Sequence, residues 1–207
     1  MKNNYKLNLS KYSTHQIIID LIGENKTVLD VGCNEGYIGL HAHNTNVFYG
    51  LDYSPDAIEI AKTIYRDSEV MDLNYPEQLK FIPEKYDVIV FADVLEHLID
   101  PKSTLEYFMN YLEENGKIII SLPNIANWQV RLNLLLGRFD YKDNGIMDKT
   151  HFHLYTFKSA RLLVEDCRLQ IIEEKSGASL FGPIVKLFPF LKGLLSTGII
   201  LKCQKIN

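Results

Sequence analysis

The stretch from Thr27 to Gly39, TVLDVGCNEGYIG, restricts what the chain can fold into more than any other. Its apolar run, Val28 to Val31, is too short for a helix and is interrupted by an acid, Asp30. A loop bounded by Gly32 and Gly36 follows, and a periodic apolar segment with Tyr37, Ile38, Leu40 and Ala42 begins directly after it. Strand, glycine-cornered turn and helix in that order make a Rossmann-like unit, whose first turn comes close to a nucleotide. Glycine suits such corners because it has no Cβ to oppose a positive φ or a close backbone approach.

The rest of the chain repeats this alternation. The first ten residues read as loosely ordered, and from Lys11 the residues Ile17, Ile18, Leu21 and Ile22 recur at helical spacing up to Gly23. Val47 to Leu51 reads as a strand ending at Asp52, and Ser54-Pro55-Asp56 as a helix start with apolar face Ala57, Ile60, Ala61 and Ile64. Glu69 to Met71 is a short strand running into Asp72, and Tyr86 to Ala92 is continuously apolar, as when both faces of a parallel sheet are covered. Asp100-Pro101 opens a helix through Leu105, Phe108, Met109 and Leu112, and Gly116 leads into a strand over Lys117–Leu122. A helix over 157–167 and strands over Leu169–Glu174 and Gly198–Lys205 complete the pattern. Strands and helices in such alternation predict an α/β fold, a doubly wound and mostly parallel seven-stranded sheet with helices on both faces. Nothing in 207 residues demands a second domain. The predicted division is an N-terminal helical region over 1–25, a core over 26–124, a substrate-side insertion over 125–156 and the end of the sheet over 157–207.

Composition removes several function classes. A net charge of −4 offers no basic field for a nucleic-acid backbone. Cys33, Cys167 and Cys203 are too scattered for a CxxC pair or a disulfide framework, which suits a reducing cytoplasm. No secretory signal and no apolar stretch of the ~20 residues that span a bilayer are evident, so a cytoplasmic protein is expected.

Ligands of doubly wound sheets sit beyond the carboxyl ends of the strands. That places Asp30, the loop Gly32–Gly36, Asp52, Met71, Asp72 and Ala92–His97 around the ligand. Asp52, 20 residues after Gly32, suits a ribose diol whether the ligand is a dinucleotide or S-adenosylmethionine. Charge separates these two: Asp30 and Glu35 oppose a pyrophosphate and complement an ammonium and a sulfonium.

Here the chain resembles the class I S-adenosylmethionine-dependent methyltransferases. The resemblance rests on VLDVGCNEGYIG, GLDYSPDAIEIAK, the acid in VMDLN, YDVIVFADVLEHLIDP and GKIIISLPN, in that order over roughly Lys26 to Asn124. It implies S-adenosylmethionine as cofactor, S-adenosylhomocysteine as product and an antiparallel last strand. By the same resemblance, Asp30 and the backbone of Gly32, Cys33, Asn34 and Gly36 hold the methionine end. Asp52, with Tyr53 beside it, takes the ribose; Met71, Asp72 and Leu73 border the adenine. Ala92, Asp93 and Val94 close the floor, with Glu96 and His97 at its rim. Asn34 stands where the family has its middle loop glycine, and asparagine tolerates left-handed backbone better than most residues.

Between Asn124 and Tyr155 the alternation lapses, and an insertion of that length is usually functional. Its first half reads as a helix with Trp128, Arg131, Leu132 and Leu135 on one face; Asn124, Trp128 and Arg131 are the candidate substrate contacts. Its second half ends in Asp148-Lys149-Thr150-His151-Phe152-His153, which resembles the DxTH element of methyltransferases from sugar, polysaccharide and natural-product pathways. Histidine titrates in the range a hydroxyl acceptor's base requires. His151 is the first candidate base, with Asp148 orienting it, and His153 the second. No metal is expected, because His151, His153 and Asp148 find no further ligand set elsewhere in the chain. The apolar segment 178–197 reads as a connection packed on sheet and insertion, with an acceptor wall, a dimer contact or a weak lipid contact as alternatives.

The expectation is thus a methyltransferase for a small-molecule or glycan-related acceptor, most simply at oxygen, in a chain that could pair as a homodimer. A catalytically silent cofactor-binding subunit and an NAD-dependent oxidoreductase are the alternatives.

Overall fold

The computed structural model describes residues 9–76 and 85–206. The expected loose order of the first ten residues therefore falls mostly outside the described residues. Seven strands form one sheet: β1 Thr27–Val31, β2 Val47–Asp52, β3 Asp67–Val70, β4 Tyr86–Ala92, β5 Leu112–Pro123, β6 Leu169–Gly177 and β7 Gly198–Lys205. Their spatial order is β3-β2-β1-β4-β5-β7-β6, with β3 to β5 parallel and β7 antiparallel to both its neighbours. The chain leaves β1 toward one edge and returns at β4 toward the other, so strand order reverses between β1 and β4. A crevice opens beyond the carboxyl ends of two strands that diverge in this way.

Strand residues alternate between two apolar layers. Leu29, Val31, Ile89, Phe91, Ile118 and Ile120 share one layer with Leu105 and Phe108 of α4 (Pro101–Met109) and Ala160 and Val164 of α6 (Phe157–Asp166). Val28, Val88, Val90, Ile119 and Ile200 share the other with α1 (Thr14–Ile22) and α3 (Pro55–Ala61). The short α2 (Tyr37–His41) follows the glycine loop on this second side and adds Ile38. Polar caps set the helix starts: Ser13, Ser54, Asp100 and Thr156 each accept from a backbone amide of the following turn, and Thr156 with Ser159 forms a full capping box.

Several boundaries differ from expectation for visible reasons. The helix expected to run through Leu112 stops at Met109, because the Tyr111 carbonyl already accepts from the Tyr86 amide and Leu112 pairs with Tyr86 as strand. Strand β5 thus begins before Gly116, where any Cβ would meet the Leu112 side chain at 2.7 Å. In α3 it is Ile58 that is buried, while Ile60 points outward. Strand β3 starts two residues earlier than expected, in register with Tyr49–Asp52, and β6 runs three further, to Gly177, opposite Gly198.

The segment 178–197 forms α7 (Gly182–Leu187), a 3-10 turn over Pro189–Leu191 and α8 (Lys192–Leu195). The expected packing on the sheet is only partial. Ala178, Val185 and Ser196 are buried, but Leu180, Leu187 and Phe190 face outward. In the insertion, α5 (Trp128–Leu135) buries none of its residues, and Leu134, Leu135 and Leu136 are exposed.

Candidate active site

The cofactor side is built on the ends of β1, β2 and β4. Gly32 has φ +80°, and a Cβ there would lie 2.4 Å from Val94 Cγ2, so only glycine brings this turn against the β4 loop. The amides of Gly32 and Cys33 both donate to the Leu51 carbonyl, at 2.7 and 2.9 Å. Asn34 has φ 49°, the left-handed backbone expected of a residue in that place, and its amide donates to Asp52 Oδ2 at 2.9 Å. The other oxygen, Asp52 Oδ1, accepts from the Ser54 amide at 2.9 Å. Asp52 therefore ties the β1 loop to the start of α3, and each carboxylate oxygen keeps a second lone pair for a hydroxyl. Tyr53 beside it is 79% exposed.

Asp30 is buried at the end of β1. Its Oδ2 accepts from the Tyr65 hydroxyl at 2.6 Å, and its Oδ1 has no donor among the described residues. Burial pushes its carboxyl up to about 7; the Tyr65 bond pulls the other way, and the charge of Asp52 adds to the rise. Sequence reasoning missed Tyr65. Its only trace lies in the glycines around it: a Cβ on Gly39 or Gly50 would strike the Tyr65 ring at 2.2 or 2.8 Å. Met71 and Leu73 are buried beside the end of β2, where the Met71 amide donates to the Asp52 carbonyl; Asp72 is exposed and accepts from the Asn74 amide.

The β4 loop turns sharply at Asp93, φ 54°. Ser121 holds it, accepting from the Asp93 amide at 3.0 Å and donating to Asp93 Oδ1 at 2.7 Å. Ala92 and Asp93 are half-buried and Val94 is buried, which leaves Glu96 and His97 facing the insertion. The insertion is hooked there by its main chain, with the Phe152 and His153 amides donating to the Glu96 carbonyl at 2.8 and 3.2 Å.

That hook assembles a polar cluster. Glu96 is only 1% exposed, and neither of its carboxylate oxygens has a hydrogen-bond partner among the described residues. Burial and then the nearby Asp93 charge hold its carboxyl well above the usual carboxylate range. His151 Nε2 lies 4.0 Å from Glu96 Oε1, beyond hydrogen-bond reach, and the His97 and His151 rings meet edge to face at 4.7 Å between centroids. Burial, followed by the neighbouring His97, lowers the pKa of His151, so its imidazole is neutral at pH 7.

The tautomers follow from the partners. His151 Nδ1 faces the Ile146 carbonyl at 3.2 Å, and a carbonyl only accepts, so Nδ1 carries the proton. His97 Nδ1 faces the Thr150 carbonyl at 3.2 Å and the Thr150 hydroxyl at 3.0 Å, which fixes it the same way. The Thr150 hydroxyl donates to Asp148 Oδ1 at 2.6 Å. Both imidazoles therefore keep their lone pair on Nε2. The expected orienting role of Asp148 is corrected in one respect: its carboxylate is bonded to Thr150, not to His151, and steadies His97 through that hydroxyl. The Thr150 bonds lower its pKa against the opposing effect of partial burial. His153 Nε2 donates to the Ile99 carbonyl at 3.3 Å and stays at the rim.

The candidate substrate contacts are dispersed. Asn124 is fully buried and clamps the end of β5: its side-chain amide donates to the Gly193 and Ser196 carbonyls, and its Oδ1 accepts from the Ala126 amide. Fully buried and bonded in this way, that side chain is turned into the fold. Arg131 is exposed and donates to the Ala126 carbonyl at 2.6 Å, closing the turn before α5, and Trp128 is half-buried at the start of that helix. The three candidate ligands weighed from sequence do not converge either; the groups brought together are Glu96, His97 and His151, whose donor atoms lie within 4.8 Å of one another.

Comparison with known proteins decides the family. A family model described as "Methyltransferase domain" matches residues 22–171. The chain belongs to that family. S-adenosylmethionine is accordingly its cofactor, and the residues present fit it: the Asp30 oxygen without a protein donor suits a cationic ligand, and the Gly32 turn leaves the backbone open to it. The chain is 27% identical over 158 residues to the ubiquinone biosynthesis O-methyltransferase of Coxiella burnetii (strain RSA 331 / Henzerling II), a match covering 73% of this chain and 64% of that one. The chain thus spans less than two thirds of that relative's length. It is 32% identical over 189 residues to the protein of the same name from Hydrogenovibrio crunogenus, covering 88% of this chain and 76% of that one. Among solved structures, magnesium protoporphyrin IX methyltransferase from Synechocystis PCC 6803 superposes with a TM-score of 0.69 at 14% identity, covering 99% of this chain and 90% of that one. A TehB-like methyltransferase from Corynebacterium glutamicum gives 0.62 at 19% identity, covering 95% and 89%. These likenesses show the same fold.

Proposed function

We propose that this methyltransferase moves the methyl group of S-adenosylmethionine to a hydroxyl oxygen of a small-molecule acceptor. The observation that carries the reading is the pair of adjoining imidazoles, His97 and His151, each with Nδ1 tied to a backbone carbonyl beside the β4 loop. The cofactor, when bound, supplies a methyl carbon made electrophilic by its sulfonium and departs as a neutral thioether. The chain's share is alignment, exclusion of water and the fate of one proton. Asp30 and the Gly32–Gly36 backbone orient the methionine end, Asp52 and Tyr53 the ribose, and Met71, Asp72 and Leu73 the adenine. As the acceptor oxygen bonds to the methyl carbon, its proton passes to an imidazole Nε2. His151 is the better placed, because its ring is more buried and its tautomer is fixed by a backbone carbonyl.

For the acceptor, the O-methyltransferase names of the two relatives support a phenol-like hydroxyl, and the DxTH element supports a sugar or glycan-related one. The exposed apolar residues of α5 and of 180–190 suit an acceptor with apolar parts. No described helix is long and apolar enough to cross a membrane, and the reading places the enzyme in the cytoplasm.

The test begins with calorimetric titration by S-adenosylmethionine, S-adenosylhomocysteine and NAD, then transfer of labelled methyl to phenolic and sugar hydroxyls. One-to-one binding of both sulfur compounds, lost in Asp52→Ala, and an O-methyl product are expected. His151→Ala should keep cofactor binding and lose at least ~100-fold in turnover. Transfer to nitrogen or carbon would refute the hydroxyl reading, and cofactor binding without transfer to any acceptor would point to a silent subunit.

A further inference from the structure

We propose that Glu96, His97 and His151 form a binding site for one first-row divalent cation, of the zinc, manganese, cobalt or iron(II) class, at the acceptor end of the cofactor crevice. The donor atoms lie within 4.8 Å of one another, and they come from two segments more than fifty residues apart that are held together by the amides of Phe152 and His153 on the Glu96 carbonyl. Three features point to an ion and not to a chance meeting of polar groups.

The first is Glu96 itself. A carboxylate 1% exposed, with no donor on either oxygen, loses its hydration and receives nothing from the protein in return. An ion supplies what the protein withholds. The second is the orientation of the imidazoles. Metal-binding histidines characteristically donate the ring N–H that is not on the ligand side to a carbonyl or carboxylate, which fixes tautomer and direction. His151 does so to Ile146, and His97 does so to Thr150, whose hydroxyl is anchored in turn on Asp148. The third is the donor chemistry. Two imidazoles and one carboxylate suit transition divalent ions better than magnesium or calcium, and three protein ligands leave positions open for an outer oxygen. Ligands at about 2.1 Å from a cation sit roughly 3.0–3.4 Å apart, so these side chains need draw in by only about an ångström.

The inference rests on the hydroxyl-transfer reading only for its catalytic consequence: with the ion bound, His151 Nε2 is a ligand in place of a base, and the acceptor hydroxyl would be acidified by the cation and release its proton to solvent. Ion binding itself does not depend on that reading, and it is measured separately. Protein stripped with a chelator is dialysed against Zn2+, Mn2+ or Co2+, and metal content and the visible spectrum of the Co2+ form are recorded. About one ion per chain is expected, with Co2+ bands showing nitrogen and oxygen ligation. Glu96→Gln and His151→Ala should each weaken binding at least roughly tenfold, Thr150→Val less, and His43→Ala, at the surface, not at all. Far-UV circular dichroism and S-adenosylhomocysteine titration establish that each variant is folded. A folded, cofactor-binding wild type that takes up no more ion than the Glu96→Gln, His151→Ala double variant overturns the proposal, as does stoichiometric uptake indifferent to all three residues. A protein that binds the ion but no sulfur cofactor would instead overturn the function proposed above.

Discussion

Replacing Asp30 by asparagine separates what this carboxylate does for the cofactor from what it does to the fold. Burial dominates its environment, and its pKa moves from the 3.8 of a free aspartate to about 7. The folded state therefore binds more protons than the unfolded state between roughly pH 4 and 7, and stability falls as pH rises through that window and levels off above it. The interval, at about 1.4 kcal/mol per pH unit, corresponds to about 4 kcal/mol of destabilisation above pH 7. Asparagine keeps an oxygen for the Tyr65 hydroxyl and carries no charge, but its amide group has no acceptor, which costs about 1–3 kcal/mol. The apo variant should therefore be more stable than wild type at pH 8, by roughly 1–3 kcal/mol, and less stable at pH 4. For a chain of this size, each kcal/mol corresponds to about 2–4 °C in Tm. The cofactor reverses the sign. A cationic ligand at the unsatisfied Oδ1 selects the ionised carboxylate, so wild-type affinity should fall by up to tenfold per pH unit below pH 7. The variant should lose that slope and bind about 10- to 100-fold more weakly at pH 8, the value of a charge-assisted hydrogen bond. Thermal unfolding from pH 4 to 9, with calorimetric titrations in two buffers of different ionisation enthalpy, reads both effects. A variant less stable than wild type at pH 8, or a wild-type affinity flat between pH 6 and 8, would refute the reasoning.

The remaining predictions concern the turns that hold the site. Gly32→Ala forces a Cβ to 2.4 Å from Val94 at φ +80°; it should cost at least about 1–2 kcal/mol and weaken S-adenosylhomocysteine binding, measured by chemical denaturation and titration. Gly32→Ala binding the cofactor as tightly as wild type would count against the close approach. Asp52→Ala releases the Asn34 and Ser54 amides; stability should drop by about 1–3 kcal/mol while cofactor affinity drops further, and a loss of stability alone would leave Asp52 a structural tie. Thr150→Val removes the hydroxyl between Asp148 and His97; turnover should fall several-fold with unchanged cofactor affinity, and a change confined to KM for the cofactor would contradict it.

The fold and the cofactor side could be read from the sequence because they rest on local signals. An apolar run short enough to be a strand, glycines at the two positions with φ +80°, and acids at or next to the ends of β1, β2 and β4 are neighbours along the chain. The helix starts at Ser54 and Asp100 are legible for the same reason. What sequence missed depends on distant residues. Tyr65 reaches back to Asp30 across the end of α3, and Ser121 crosses from β5 to hold Asp93; neither position differs by composition from an ordinary core residue. Asn124 looked like a substrate contact because it follows β5 at the crevice, but three bonds to the 193–196 and 126 backbone bind it to the fold. Asp148 and His151 lie three residues apart and suggest a pair, yet the turn between them directs the carboxylate to Thr150. Strand β5 lost its first residues to a predicted helix because Leu112 continues the helical period that its partner Tyr86 overrides.

The way the insertion is attached separates chemistry from specificity. The end that carries His151 is hooked by main-chain bonds from Phe152 and His153 to the Glu96 carbonyl, and by the pairing of Asn124 and Ile125 with Tyr155. Main-chain bonds ask nothing of side-chain identity, so the hook holds whatever 128–147 contains. That middle part, by contrast, has an exposed helix α5 and a turn joined by the bridge between Lys142 and Asp148 and the Lys149–Asp143 ion pair at 2.6 Å. An exposed pair of this kind is screened by solvent and contributes little, so this part of the insertion is held far less firmly than the cluster it leads into. Substitutions there can reshape the acceptor wall without moving Glu96, His97 or His151, which are held from the β4 loop and from Thr150 and Ile146. Acceptor preference should therefore change with exchanges among Leu132, Leu135 and Phe139 while the fate of the acceptor proton does not: KM for the acceptor should move, and the pH dependence of turnover should stay where it was.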